Sequence, residues 1–417
     1  MPVPPAAQSE RNVLILTGVG HFSTHFFELM FPTLAVALAR QAQVPLDEVL
    51  GWSFLGYLLF GVGAVPAGLL ADRIGARLLL LVSLFGLGVA ALAASEAPSP
   101  RALMLCLAAL GAFASIYHPV GMGLISHTAG APGRALGING ICGSAAIAST
   151  PLVTAALCAQ LGWQSTYRVV GYAMCAVAVA CAFLPVAEPH VKQVRASGTV
   201  GERIPWRPLV VLFIAGAFAG IAYRGSTLIQ PGYFAAHVSE LGYGAATSVA
   251  YLFGIIGQYV GGAAVDRYDL RRLYLAFHAL SLPALVAMSA LGGVPLLACA
   301  ALFTFFNLGM QPIENSLFAR LSPARWRATL YGVKFTGTFG VGSVAVFLVR
   351  WADGAGGLSY ALLCLAAVVL LVVVAATVLV TMPAGRPTRA AVLEAALALP
   401  GAIVPPAGER RDGGPGT

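Results

Sequence analysis

His21, His25 and Glu28 stand at i, i+4 and i+7 in a stretch that is otherwise apolar. On a helix of 3.6 residues per turn these side chains fall within about 60° of arc, so two imidazoles and a carboxylate share one face. Such a set can hold a proton and release it near neutral pH. Asn307, Gln311 and Glu314 repeat the spacing in a later apolar stretch, and His118, Arg224 and Lys334 are ionisable residues in three others. Ionisable groups are costly inside a membrane segment and are functional candidates for that reason. Substrate or proton binding is therefore expected of His21, His25, Glu28, His118, Arg224, Gln311, Glu314 and Lys334.

Glu28 lies 16 residues beyond Asn12 (28 − 12) and Arg224 lies 16 beyond Pro208 (224 − 208), the starts of their segments, so both enter from one side to the same depth. They are expected to pair or to compete for one proton or substrate, because an isolated buried cation is strongly destabilising. Protonating Glu28 would release Arg224 for an anion, and departure of the anion would restore the pair. A fixed bridge between two halves of the molecule is the structural alternative. Arg224 would hold a phosphonate or carboxylate in a planar fork and Lys334 would hold it as a mobile point charge. Lys334 is equally placed to neutralise Glu314, one segment earlier. The spacings His21-x-x-x-His25 and His118-x-x-x-Met122 also suit a transition metal. Pro119 disturbs the helix after His118 and no cysteine joins the set, so no metal and no cofactor is assigned.

The elements that must position these groups follow from composition. Of 417 residues 59% are hydrophobic and 10% charged, with a mean hydropathy of +0.84, which places the chain in a lipid bilayer. Backbone groups in lipid must bond internally, so each apolar run of about 20 residues reads as a spanning helix. Six runs lie within residues 12–186 and six within 207–383. They are separated by a polar, Pro-containing linker at 187–206 and followed by a tail at 384–417. Placing both termini and the linker on one side puts 18 of the 24 Lys and Arg residues there, which assigns that side to the cytoplasm of an inner (plasma) membrane protein. The net charge of +8 sits in these loops and not on a basic face, so nucleic acid is not an expected partner. The seven cysteines lie in apolar runs without metal-type spacing and read as small core hydrophobes. No nucleophile–base set, Walker loop or metal-hydrolase motif is visible, so neither an enzyme nor a nucleotide-driven pump is expected.

Between the second and third runs lies Gly68-Leu-Leu-Ala-Asp72-Arg73-Ile-Gly75-Ala-Arg77. Shifting the sequence by 194 positions (251 − 57) lays Tyr57–Arg77 over Tyr251–Arg271 with seven identities, among them Gly68/Gly262, Asp72/Asp266, Arg73/Arg267 and Arg77/Arg271. The chain is a duplicated unit. G-x-L-A-D-R-x-G-x-R between helices two and three of twelve resembles the loop signature of the major facilitator superfamily. The resemblance implies an all-α polytopic fold of twelve transmembrane helices in two six-helix bundles, rocking around a central site lined by helices one, four, seven and ten. It also implies a cytoplasmic gate built from Gly68, Asp72, Arg73, Gly75, Arg77, Asp266, Arg267 and Arg271. Gly20-His21-Phe22, Tyr117-His118-Pro119 and Gly137-x-Asn139-Gly140-x-x-Gly143 are similar to the fosmidomycin-resistance exporters.

These readings together predict a secondary transporter working by alternating access, a proton-coupled exporter of a small anionic or amphiphilic compound. A proton-coupled importer of an organic anion is the nearest alternative, and a transition-metal transporter or a non-transporting receptor lies further off. The expected partners are the substrate, protons and lipid, and a monomer is expected. Pro119 and Pro312, 193 positions apart (312 − 119), are expected to interrupt equivalent helices at the site. The pairs Gly216/Gly220 and Gly257/Gly261 and the run Gly337, Gly340, Gly342 are expected to mark close helix crossings.

Overall fold

The computed structural model describes residues 6–129, 132–186, 204–322 and 327–383, with the backbone alone at Ala6, Ala7, Asp72, Pro132, Gly133 and 327–329. The linker core and the tail fall outside the described residues. The apolar runs form α1 (Ala6–Ala42), α2 (Leu46–Gly51), α3 (Phe54–Val62), α4 (Ala64–Ile74), α5 (Ala76–Ser95), α6 (Pro100–Ala114), α7 (Tyr117–Thr128) and α8 (Pro132–Ala182). The second half contributes α9 (Trp206–His237), α10 (Tyr243–Ala264), α11 (Leu270–Met288), α12 (Gly293–Leu321), α13 (Arg327–Phe335) and α14 (Ala345–Thr381). A π-helical turn at Thr336–Gly340 and a 3-10 turn at Val341–Val344 join α13 to α14.

Eight helical spans among the described residues are long and apolar enough to cross a membrane. Two of them are each two spans joined at a kink. α8 is 51 residues long, more than twice what a bilayer needs, and bends at Gly162 (φ 80°). The eleventh span runs through α13 and the two turns into α14, which bends at Gly356 and Gly357 before the twelfth. With α10 at 22 residues and α11 at 19, about 33 and 28 Å at 1.5 Å per residue, the membrane-length helices among the described residues number twelve. Exposed Phe85, Leu105, Phe183 and Trp351 face outward, as lipid-facing positions should.

The expected interruptions are only partly where sequence placed them. Pro312 lies inside the continuous α12, because a membrane helix tolerates proline where neighbouring helices re-satisfy the freed carbonyl. In the fourth span the break comes at Ser115 and Ile116, before Tyr117 and not at Pro119, which sits in the first turn of α7 where a missing N–H costs little. The second span, Leu46–Ala71, is divided by turns into α2, α3 and α4.

Glycines set the helix spacing. A Cβ at Gly56 or Gly111 would run into the backbone of α6 or α3 respectively, and one at Gly257 or Gly261 into carbonyls of α12. These are the same crossing in the two halves, as the duplication requires. Gly220 meets the carbonyl of Thr338 in the π-turn, and Gly61 of α3 meets the backbone of Gly340 across the halves. The halves also touch through α1 with α9, α8 with α10 and α2 with α14, and the described residues up to Thr381 form one compact unit.

Candidate functional site

α1 is buried through its middle and carries the polar face read from sequence. Glu28 accepts from Arg224 Nη2 at 2.6 Å through Oε1, while Oε2 lies 2.5 Å from His25 Nδ1. Both partners of the ion pair are 1% exposed at their side chains. The pair matched by depth alone is therefore in contact, joining α1 of the first half to α9 of the second. Tyr57 frames it: the Arg224 guanidinium carbon lies 3.8 Å above the Tyr57 ring centroid, and the Tyr57 hydroxyl donates to the Glu28 backbone carbonyl at 3.1 Å. The Arg224 Nε and Nη1 groups and the hydroxyls of Tyr223 and Tyr251 are buried without a hydrogen-bond partner. A guanidinium with donors to spare has the hydrogen-bonding capacity to take an anion beside its own carboxylate. Beside Glu28 lies a cavity of about 30 Å³ lined by Ser53, Tyr57, Phe60 and Gly111, enough for a water molecule.

One turn earlier on α1 the imidazoles converge. His21, His25 and His118 each bring one ring nitrogen within 4.8 Å of the others, with ring centroids 5.0 to 5.4 Å apart. The His21 ring stacks on Tyr117 at 4.8 Å, and its Nδ1 lies 2.9 Å from the Asn139 carbonyl. Tyr117 donates to the Asn139 side-chain oxygen at 2.5 Å. Gly20 leaves room for the Tyr117 ring, 2.8 Å from where a Cβ would stand, and Gly143 does the same for His21. The three short motifs around Gly20, Tyr117 and Asn139 thus build one cluster from α1, α7 and α8. His118 stacks against Phe335 and Phe339 of the second half at 5.3 and 5.4 Å.

A second ionic centre lies wholly in the second half. Lys334 meets Glu314 at 2.8 Å, with side-chain exposures of 6% and 4%, and it also donates to the Asn315 side chain. Tyr274 donates to Glu314 Oε2 at 3.2 Å. Gln311 is reached differently: Gln258 Nε2 donates to it at 2.9 Å, and Ser144 of α8 donates to the Gln258 oxygen. Gln311 is thereby tied to the first half. Ser144, Gln258, Tyr274 and Asn315 were not singled out from sequence. The available signal was a polar uncharged side chain inside a membrane segment, a weaker cue than charge.

The two copies of the loop signature are built alike at their ends. Arg77 donates to the carbonyl of Ala182 at 2.6 Å and Arg271 to that of Leu379 at 3.2 Å, so each arginine closes the last helix of its own half. Gly68 packs on Pro119 and Gly262 on Pro312, with Cβ positions 3.6 and 4.0 Å from proline carbons. Gly75 turns the chain at φ 94° between α4 and α5. Its counterpart Asp269 instead caps α11, accepting from Arg272 N at 3.0 Å. Arg73, Asp266 and Arg267 are exposed, and the Asp72 side chain lies outside the described set. At the other end of the molecule Asp47 and Arg350, one from each half, stand 3.9 Å apart.

Comparison with known proteins agrees with this architecture. A family model described as Major Facilitator Superfamily matches residues 16–225, half of the chain. The puromycin resistance protein pur8 of Streptomyces alboniger is 32% identical over 117 residues, 27% of this chain and 23% of that protein. The match thus spans less than a quarter of that relative's length. A bacterial homologue of the human lysosomal transporter Spinster, inward-facing and unoccupied, superposes with a TM-score of 0.69 at 14% identity over 89% of this chain and 96% of its own. A POT family transporter in complex with 5-aminolevulinic acid gives 0.73 at 12% identity over 89% and 95%. The fucose:proton symporter of E. coli gives 0.61 at 14% over 89% and 98%. At these identities the likeness is one of fold.

Proposed function

The chain belongs to the Major Facilitator Superfamily, and on that premise we propose that it is a proton-coupled secondary transporter of a small anionic or amphiphilic compound, with Glu28 and Arg224 as its coupling pair. One observation carries the reading: a fully buried carboxylate holds a guanidinium across the two halves at 2.6 Å while that guanidinium keeps two unpartnered donors. A buried pair costs desolvation on both members and is weak evidence for stability, so a switching role accounts for it better. Protonation of Glu28 cancels its charge and weakens its hold on Arg224. The freed guanidinium then binds a phosphonate- or carboxylate-bearing substrate in its planar fork. When substrate leaves, Arg224 recaptures the carboxylate and expels the proton. His25, hydrogen-bonded to the same carboxylate, is the group through which the proton passes.

Because the pair bridges α1 and α9, its making and breaking bears on how the halves meet. Gln311 and the Glu314–Lys334 centre line the same reading as auxiliary polar sites, and the two loop signatures act as the cytoplasmic gate, each fastened to its own half by Arg77 or Arg271. The partial likeness to a resistance protein supports export, whereas a cycle in which proton and anion are bound together gives import under an inward proton gradient. The charge bias of the loops supports an inner-membrane protein with both termini in the cytoplasm. The test is flux in proteoliposomes under a pH gradient of either sign, with phosphonates, carboxylates and cationic drugs. Flux indifferent to the gradient overturns proton coupling, and flux confined to cations overturns the role of Arg224.

A further inference from the structure

We propose that His21, His25 and His118 form a binding site for a divalent transition-metal ion, held by the first half of the molecule beside the Glu28–Arg224 pair. Three features point to it. One ring nitrogen from each histidine lies within 4.8 Å of the others, and imidazole nitrogen is a ligand for zinc, cobalt, nickel and copper. The Nδ1 atoms of His21 and His25 are already engaged. The Asn139 backbone carbonyl can only accept, so His21 carries its proton on Nδ1, and the Glu28 carboxylate does the same for His25. Each of these two histidines is thereby left with a lone pair on Nε2, oriented by a carbonyl or carboxylate as metal-bound histidines are. Third, His118 Nε2 is buried with no hydrogen-bond partner, in a residue only 7% exposed.

A tetrahedral ion with bonds of about 2.0–2.1 Å needs ligand nitrogens roughly 3.4 Å apart, so the rings must rotate inward on binding. The neighbouring cations do not forbid a dication, since Arg224 is paired with Glu28 and Lys334 with Glu314. His118 also rests against Phe335 and Phe339 of the second half. Drawing its ring toward an ion on α1 therefore alters a contact between halves, and a dication near Glu28 competes with Arg224 for that carboxylate.

The experiment uses the full-length protein, purified with any histidine tag removed, and Co²⁺ as the probe. One equivalent of Co²⁺ is expected to give visible d–d absorption, lost in His21→Ala, His25→Ala and His118→Ala and retained in His127→Ala and His237→Ala. Glu28→Gln, which removes the orienting carboxylate, is expected to weaken binding about 10–100-fold. Absence of a one-equivalent band, or a band unchanged by His118→Ala, overturns the proposal. His118→Gln is read beside His118→Ala, with thermal unfolding of the metal-free forms, so that a folding failure is not mistaken for a lost ligand. Uptake of the ion into proteoliposomes marks it as cargo, and inhibition of organic flux without uptake marks it as a brake. Binding is read without flux, so failure here leaves proton coupling standing, and failure of pH-driven flux leaves the metal site standing.

Discussion

Replacing Glu28 by Gln keeps its shape and removes its charge, leaving the Arg224 guanidinium, 1% exposed, without a counter-ion. At an effective dielectric of about 20 and roughly 4 Å between charge centres, the lost attraction is about 4 kcal/mol. That agrees with the ~3–5 kcal/mol seen when one member of a buried pair is removed. Arg224→Met is expected to cost less, because Glu28 retains His25 at 2.5 Å whereas Arg224 without Glu28 retains chiefly the face of Tyr57. The double variant should therefore be more stable than the sum of the singles predicts, by about 2–3 kcal/mol, well above the ~0.5 kcal/mol within which independent sites add. Denaturant unfolding in detergent measures the cycle, and flux against pH on the same four proteins measures coupling. Additive stabilities would refute the claim that the two residues act as one buried pair. Unaltered proton dependence of flux in the folded Glu28→Gln protein would refute Glu28 as the coupling group.

Gly61→Val places three carbons against the Gly340 backbone. It should cost about 1–3 kcal/mol by overpacking, read as faster cysteine labelling along α3 and the π-turn; unchanged labelling would contradict the close crossing. Arg77→Ala and Arg271→Ala each remove a charged hydrogen bond to a helix-end carbonyl, worth about 1.5–3 kcal/mol. Both should lower the unfolding midpoint, Arg77→Ala by more because its bond is shorter, and equal, negligible shifts would count against the fastening role. Glu96 and Arg168 form an exposed pair at 2.5 Å, and the Arg168 hydrogen bonds hold the Glu96 carboxyl below the usual carboxylate range. Its contribution is present above the unfolded value and fades as pH falls through the folded one. Solvent screening makes it small, so Glu96→Gln should leave the unfolding midpoint unchanged at neutral pH, and a large drop would show coupling to something deeper.

Sequence by itself determined the solvent, the helix count and the duplication. Apolar runs of bilayer length leave no other way to satisfy the backbone, and the repeat of Gly68, Asp72, Arg73 and Arg77 at Gly262, Asp266, Arg267 and Arg271 shows two copies of one unit. It also determined that Glu28 and Arg224 lie at one depth, because position along a helix converts directly to distance. The tertiary structure decided what depth cannot: which faces meet. Helical spacing puts His21 and His25 together, but only the crossing of α1, α7 and α8 brings His118 and Asn139 to them. Pro119 gave a reason to set a metal aside because His118 was read along its own helix, whereas its neighbours come from another. The uncharged links from Ser144 through Gln258 to Gln311 were silent in sequence, since an amide in a membrane helix acquires meaning only from the partner that packing supplies.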